Sequence, residues 1–440
     1  MQKNKVNSQQ ILSNLGIEAY NDMQLSAAAA VNEQRDVVLL SATGSGKTIA
    51  FLVPVIEKID PELRKTQALI IVPSRELAIQ IENVFRSMVT GLKITCCYGG
   101  HKREIEENNL LEAPAIIVGT PGRLADHIRR ENISPSGIET LVLDEFDKSL
   151  EMGFQEEMSF IINSLPFIKQ RILTSATKPE SIPKFVKVID PLEVNFLTGE
   201  PVEALAIQLV ESPDKDKLET LFRLVCFHGS RSHVIFCNHR ESVERTSEFL
   251  NDKGIVNVFY HGQMEQQDRD AALCKFRNGT SDILVTTDLA ARGLDVPNIR
   301  YIVHYHLPHN AETFIHRNGR TARMEASGTA ILILGPDERL PPYVKEEPVK
   351  LELPEKTVVP DKPKWSTLFI AAGKKDKVNK IDIVGFLGNK GGLKKEDIGL
   401  IEVKDYFSFV GIRKSKVSQT LVAIKNERIK NKRVRIDIAK

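Results

Sequence analysis

The 440-residue chain contains no uncharged apolar run of the ~18 residues a membrane span needs, and no apolar segment of signal-peptide kind near Met1. Insertion in a membrane and secretion are therefore not expected. Cysteine is sparse: Cys96, Cys97, Cys226, Cys237 and Cys274 show no CxxC or other metal-ligand spacing. Most lie in or beside apolar runs, so they read as buried, reduced thiols of a cytoplasmic protein. No short repeat period is present, which excludes a solenoid or propeller array. What remains is 42% hydrophobic and 27% charged, the composition of an ordinary soluble chain long enough for several domains. Net charge is only +2, but it is unevenly spread. The stretch from Asp361 to Lys440 is strongly basic and the remainder acidic, which points to a polyanion as partner of the C-terminal part.

Short apolar runs of β type recur between helical stretches. "DVVLL" (36–40), "ALIIV" (68–72), "AIIVGT" (115–120), "LVLDE" (141–145) and "RILTS" (171–175) form one series. "HVIFC" (233–237), "ILVTT" (283–287), "YIVHY" (301–305) and "TAILIL" (329–334) form a second. Runs of this kind alternating with helices predict α/β domains with parallel sheets covered on both faces. Two such domains are expected, at 1–200 and 204–340, joined near "TGEPVEA" (198–204). Residues 341–365, rich in Pro, Lys and Glu, predict an extended linker rather than a packed element. Residues 366–440 read as β-α-β-β-α-β, a small α+β sheet with two helices on one face.

The strand "DVVLL" runs into "SATGSGKT" (41–48) and then a helical stretch. Glycines at Gly44 and Gly46 let the backbone N–H groups of Ser41, Ala42, Thr43, Ser45 and their neighbours wrap phosphate oxygens, and the helix N-terminus favours an anion. Lys47 would reach the β- and γ-phosphates and the Thr48 hydroxyl would ligate Mg²⁺. Ser41 stands where the strict motif has its first glycine. In "LVLDEFDKSL" (141–150) carboxylates follow a buried-type strand. Asp144 at that strand end would complete the Mg²⁺ shell, and Glu145 would orient or deprotonate a water.

In this order the residues resemble the DEAD-box family of RNA helicases over nearly the whole chain. "GIEAYNDMQ" (16–24) is similar to the Q motif, "SATGSGKT" to motif I, "PSRELA" (73–78) to Ia, Gly99–Gly100 to the glycine pair and "TPGR" (120–123) to Ib. "DEFD" (144–147) stands for motif II and "SAT" (175–177) for motif III. "VIFCN" (234–238), "HGQMEQQDR" (261–269), "TTDLAARGLD" (286–295) and "HRNGRTAR" (316–323) match the motifs of the second domain. The resemblance implies two tandem RecA-like domains that bind ATP with Mg²⁺ and hydrolyse it to remodel short RNA duplexes. It gives Gln24 the adenine edge, Asp295 the ribose, and Arg320 and Arg323 the role of arginine fingers. Asp147, Ser175, Thr177 and His316 would couple hydrolysis to closure. The RNA track would run over Arg75, Gly99, Gly100, Thr120 and Arg123, continuing at Arg269 and Thr287. Phe146 departs from the family's alanine and is expected to pack into an apolar pocket, away from the metal.

The last 75 or so residues resemble the RNA-binding domain of DbpA-type bacterial helicases, an RRM-like fold. Lys374, Lys375, Lys432 and Arg433 would supply phosphate contacts, and Phe407 and Phe409 share one strand face by alternation. Those rings either stack on bases or fill a core; the pattern serves both. The resemblance implies anchoring on structured large-subunit ribosomal RNA by a monomer. Two other readings share the ATPase core: an ATP-dependent RNA clamp without unwinding, and a DNA helicase.

Overall fold

The structure, a computed structural model, describes residues 8–179, 181–197, 205–288, 299–319, 328–430 and 432–439. The expected join at 198–204 lies outside them. The chain divides into two compact units, the first holding one sheet and the second holding two.

The first unit is built on a seven-stranded parallel sheet. Its spatial order is Ile94–Cys97, Ile116–Gly119, Ala68–Ile71, Thr140–Leu143, Gln170–Ser175, Val37–Ser41 and Leu192–Phe196. The central strands are buried on both faces, as their unbroken aliphatic runs require. Ile70, Val142 and Ile172 face one apolar layer with Phe51 and Ile81, whereas Leu69, Leu143 and Leu173 face the other with Met158 and Ile161. Every first-domain motif after residues 16–24 sits at or just past the carboxyl end of one of these strands, the edge where open α/β sheets bind ligands.

The second unit repeats the plan in the order Val258–Tyr260, Ile283–Thr287, His233–Cys237, Tyr301–His304, Gly328–Leu334, Leu205–Glu211 and Val349–Lys350. The last strand falls inside the expected linker. It pairs in parallel with Leu205–Glu211, Leu351 and Leu353 pack on the domain's core, and Arg223 donates to the carbonyls of Leu353 (2.8 Å) and Pro354 (3.0 Å). The segment is extended, but it is packed. Leu351 and Leu353, alternate residues of "VKLEL", supply a face that a free linker would not need.

The C-terminal sheet is antiparallel, ordered Ile398–Val403, Ser408–Arg413, Trp365–Ile370 and Ile436–Ile438. Helices Lys380–Asn389 and Val417–Ile424 complete the expected β-α-β-β-α-β order, with Leu368, Val410 and Ile412 packed towards Ile383, Leu387 and Ile424. The five cysteines are free, and all but Cys96 are buried. No helix among the described residues is long and apolar enough to cross a membrane.

Candidate nucleotide and RNA sites

The phosphate loop leaves the strand Val37–Ser41 and ends at the N-terminus of helix Lys47–Lys58. Gly44 (φ +84°) and Gly46 (φ +92°) adopt the left-handed region that only glycine enters freely. The Lys47 ammonium is folded into the loop and donates to the carbonyls of Ser41 (2.6 Å) and Ala42 (2.8 Å). The hydroxyls of Thr43 and Ser45 are buried with no hydrogen-bond partner among the described residues. Unused donors around a buried ammonium at a helix N-terminus fit a nucleotide's phosphates. Gln24 is 5% exposed. Its amide closes a capping box with Asn21 and donates to the Gly46 carbonyl (3.3 Å), so it ties the Q motif to the loop.

Asp144 is 3% exposed at the end of strand Thr140–Leu143. Burial, helped by the charge of Glu145, raises its carboxyl to about 6, against an opposing hydrogen bond from Thr174 and the charge of Lys47. Thr174 donates to Asp144 and accepts from the Glu145 N–H (3.2 Å). Glu145 takes the left-handed conformation (φ +48°), a strain of about 1–2 kcal/mol for a non-glycine residue and the sort retained at functional turns. Phe146 opens helix Phe146–Glu151 and is 1% exposed, packed in the layer of Leu143, Met158 and Leu173 as expected. Asp147 accepts from Thr177 Oγ1 (3.2 Å), and Ser175 Oγ donates to the Thr177 carbonyl (2.6 Å), so motifs II and III meet. Lys148, which the sequence reading passed over, is buried 2.7 Å from Glu151 and 3.7 Å from Asp147. Thr48 in the first turn of the loop helix and Asp144, past the end of the strand one removed from Val37–Ser41, are oxygen donors of the kind Mg²⁺ takes.

Of the first-domain residues expected to meet RNA, Arg123 binds a buried carboxylate, that of Glu106, and Arg75 lies over the ring of Tyr98, another of its partners. Arg75 heads a helix capped by Ser74 and lies 5.0 Å over the Tyr98 ring, and Tyr98 packs edge-on to His101 (4.7 Å). Glu106, 1% exposed, accepts from Tyr98 N–H (2.8 Å), His101 Nε2 (3.0 Å), Arg123 Nη1 (2.7 Å) and His127 Nε2 (2.7 Å). Burial opposes its ionisation, but the bonds from His101, His127 and Tyr98 and the Arg123 charge hold the carboxyl down at about 2. Gly100 (φ +94°) turns the loop, the space beside Gly99 is open, and Thr120 is the N-cap of helix Pro121–Arg129.

In the second unit Arg269 donates to the Tyr260 hydroxyl (2.8 Å) and lies over its ring, Thr287 ends its strand, and His316 sits on helix Ala311–Asn318. Arg317, also passed over, is 1% exposed and binds Asp288 (2.7 Å), Asn238 (2.9 Å) and the His306 carbonyl (2.6 Å), clamping three motifs together. Asp295, Arg320 and Arg323 lie outside the described residues. In the C-terminal domain Lys374, Lys375, Lys432 and Arg433 are exposed, with Lys432 paired to Asp376 (2.5 Å) and Arg433 donating to Asn426 (2.8 Å).

For the phenylalanines, which the sequence left open between base stacking and a core, the structure shows a contact with the second domain. Phe409 is 1% exposed and packs with Phe369 and Phe407 against Ala271 and Cys274 of the second-domain helix Gln266–Arg277. Arg277–Glu402 (3.1 Å) and Lys404–Asp270 (3.5 Å) flank the contact, and the Thr280 and Thr367 hydroxyls bond at 2.8 Å. Phe409 therefore packs between domains, and in this arrangement it is closed to a base. The half-buried Phe407 borders the same contact.

A phosphate loop, a buried strand-end acid and a second parallel-sheet domain define a two-domain nucleotide hydrolase with an appended RRM-like sheet. Family models agree in order: DEAD/DEAH box helicase over residues 21–185, helicase conserved C-terminal domain over 216–325, and DbpA RNA binding domain over 367–438. The ATP-dependent RNA helicase DbpA of Escherichia coli is 34% identical over 98% of this chain and 96% of its own length. That of Bacillus subtilis is 32% identical over 97% and 96%. Among solved structures, S. cerevisiae Dbp5 bound to RNA and ADP BeF3 superposes with a TM-score of 0.68 at 28% identity, covering 74% of this chain and 88% of that one. The chain belongs to the DEAD-box ATP-dependent RNA helicases of DbpA type.

Proposed function

We propose that ATP is held by Ser41–Thr48 with Mg²⁺ on Thr48 and Asp144, and that Glu145 accepts the proton of the attacking water. The ion would neutralise charge on the β- and γ-phosphate oxygens. Lys47 leaves its two carbonyl partners for the phosphates, and Gln24 sets the base through its link to the loop. Arg320 and Arg323 supply charge to the phosphoryl group in flight. Thr177 relays the state of Asp147. The RNA backbone runs over Arg75, Gly99, Gly100, Thr120 and Arg123, then Arg269 and Thr287, without base reading.

We further propose a cytoplasmic monomer whose C-terminal domain anchors on structured ribosomal RNA during large-subunit assembly. The docking of Phe409 on helix Gln266–Arg277 carries this reading, because that helix also bears Arg269. An anchor held there delivers a chosen RNA to the track at a fixed distance. Lys374, Lys375, Lys432 and Arg433, all exposed, supply the anchor's charge. Crosslinking in cells tests it: enrichment of ribosomal RNA supports the anchor, and recovery of messenger RNA alone contradicts it. In vitro, stimulation of ATP turnover by one RNA over others should vanish in the Lys374→Glu, Lys375→Glu variant. Charge variants are preferable to deleting the domain, which would bare Ala271 and Cys274.

A further inference from the structure

We infer that Glu106 is a positioning residue for RNA in the first domain. Its carboxylate ties the Gly99–Gly100 loop to the helix carrying Arg123, and so fixes the pose in which both meet a phosphate backbone. The inference rests on the proposed RNA track.

The geometry is specific. Oε1 of Glu106 takes the Tyr98 N–H and His101, on the loop side, and Oε2 takes Arg123 and His127, on the helix side. Arg123 also donates through Nη2 to the His101 carbonyl (3.3 Å), so the two segments are cross-braced. These bonds occupy two of the five guanidinium N–H groups, and the other three remain to meet a phosphate. Arg75 joins the cluster through the Tyr98 ring. A buried carboxylate is expensive unless every lone pair is used, and an apolar filling of the same volume stabilises a core at least as well. The cluster is thus a poor device for stability and a good one for aiming a charge.

Cys97, Glu106 and His127 have ligand atoms close enough to suggest a metal instead. Asn132 Nδ2 donates to His127 Nδ1 (3.1 Å), which puts the ring proton on Nε2, facing Glu106. No lone pair is then available to an ion, and the carboxylate is already saturated by four donors.

The test uses the full chain, a single-stranded RNA as probe, and RNA-stimulated ATP turnover. Glu106→Gln should raise the RNA concentration for half-maximal turnover about tenfold, the size of one charge-assisted contact, while turnover at saturating RNA changes far less. The slope of log affinity against log salt should flatten by ~0.7, one phosphate contact on a single strand. Adding Glu106→Gln to Arg123→Ala should cost less than about twofold more, because the two act through one contact. Should Glu106→Gln unfold, His101→Ala, which removes one partly exposed donor, should shift the same half-saturation in the same direction by a few-fold. An unchanged half-saturation in either folded variant, or losses that multiply fully with Arg123→Ala, would overturn the inference. If Arg123→Ala itself leaves RNA affinity and salt slope intact, the proposed track fails, and the inference with it.

Discussion

Replacing Phe146 by alanine probes the residue that most sets this motif II apart. Its ring is 1% exposed and belongs to the buried apolar cluster that includes Leu143, Met158, Ile161 and Leu173, against which Leu150 and Phe154 pack. Deleting a buried phenylalanine costs about 3–5 kcal/mol, the larger figures applying where the walls cannot collapse. Here Leu143 and Leu173 belong to central parallel strands and cannot move, so the cost should lie in the upper half of that range. At about 2–4 °C per kcal/mol for a domain of this size, the first unit should melt some 8–20 °C lower. Phe146→Leu, which leaves a smaller void, should lose about 1–2 kcal/mol. Thermal unfolding of full-length protein with and without nucleotide, followed by ATP turnover well below the melting point, separates stability from catalysis. An alanine variant that melts like the native chain and turns over ATP faster would refute the packing account and make Phe146 a brake.

Gly46→Ala forces a left-handed residue and puts its Cβ 2.4 Å from Gln24 Nε2, so binding of a fluorescent ADP should weaken at least tenfold. Near-native binding would show that the loop does not need this conformation. In the second unit burial, reinforced by Arg317, holds His304 at about 3, and burial, reinforced by His228, does the same for His233. Their folded values lie below the unfolded ~6.5, so the unfolded chain binds protons the fold refuses; stability is level above pH 6.5 and falls by about 1.4 kcal/mol per histidine per pH unit as pH drops towards 3. Melting curves at pH 7.5 and 5.0 should show this loss, with a shallower slope in His304→Gln; equal slopes would contradict it. Phe409→Asp should release the C-terminal domain from helix Gln266–Arg277 and speed proteolysis within 341–365, and unchanged cleavage would show that the rings do not hold the contact.

Much of this was legible in the residues. The central strands are continuous aliphatic runs, and the motifs follow them in order, so strand, loop and acid could be placed together. Edge strands such as Leu192–Phe196 and Val349–Lys350, half-buried or exposed, have no such run and were missed. Glu106, Lys148 and Arg317 look like solvated charges, because their partners come from other segments and local pattern cannot reveal them. Phe409 was ambiguous for a different reason: strand alternation fixes which residues share a face, and says nothing of what covers it. The packed linker hid behind its prolines, although "VKLEL" alternates as a strand does.

The most direct test of the account is ATP turnover by the full chain, with and without RNA, against Glu145→Gln. The account predicts turnover that RNA raises strongly, DNA raises little, and the glutamine variant loses by several orders of magnitude while still binding nucleotide. No turnover by the native chain in saturating RNA, or equal turnover by Glu145→Gln, would contradict it.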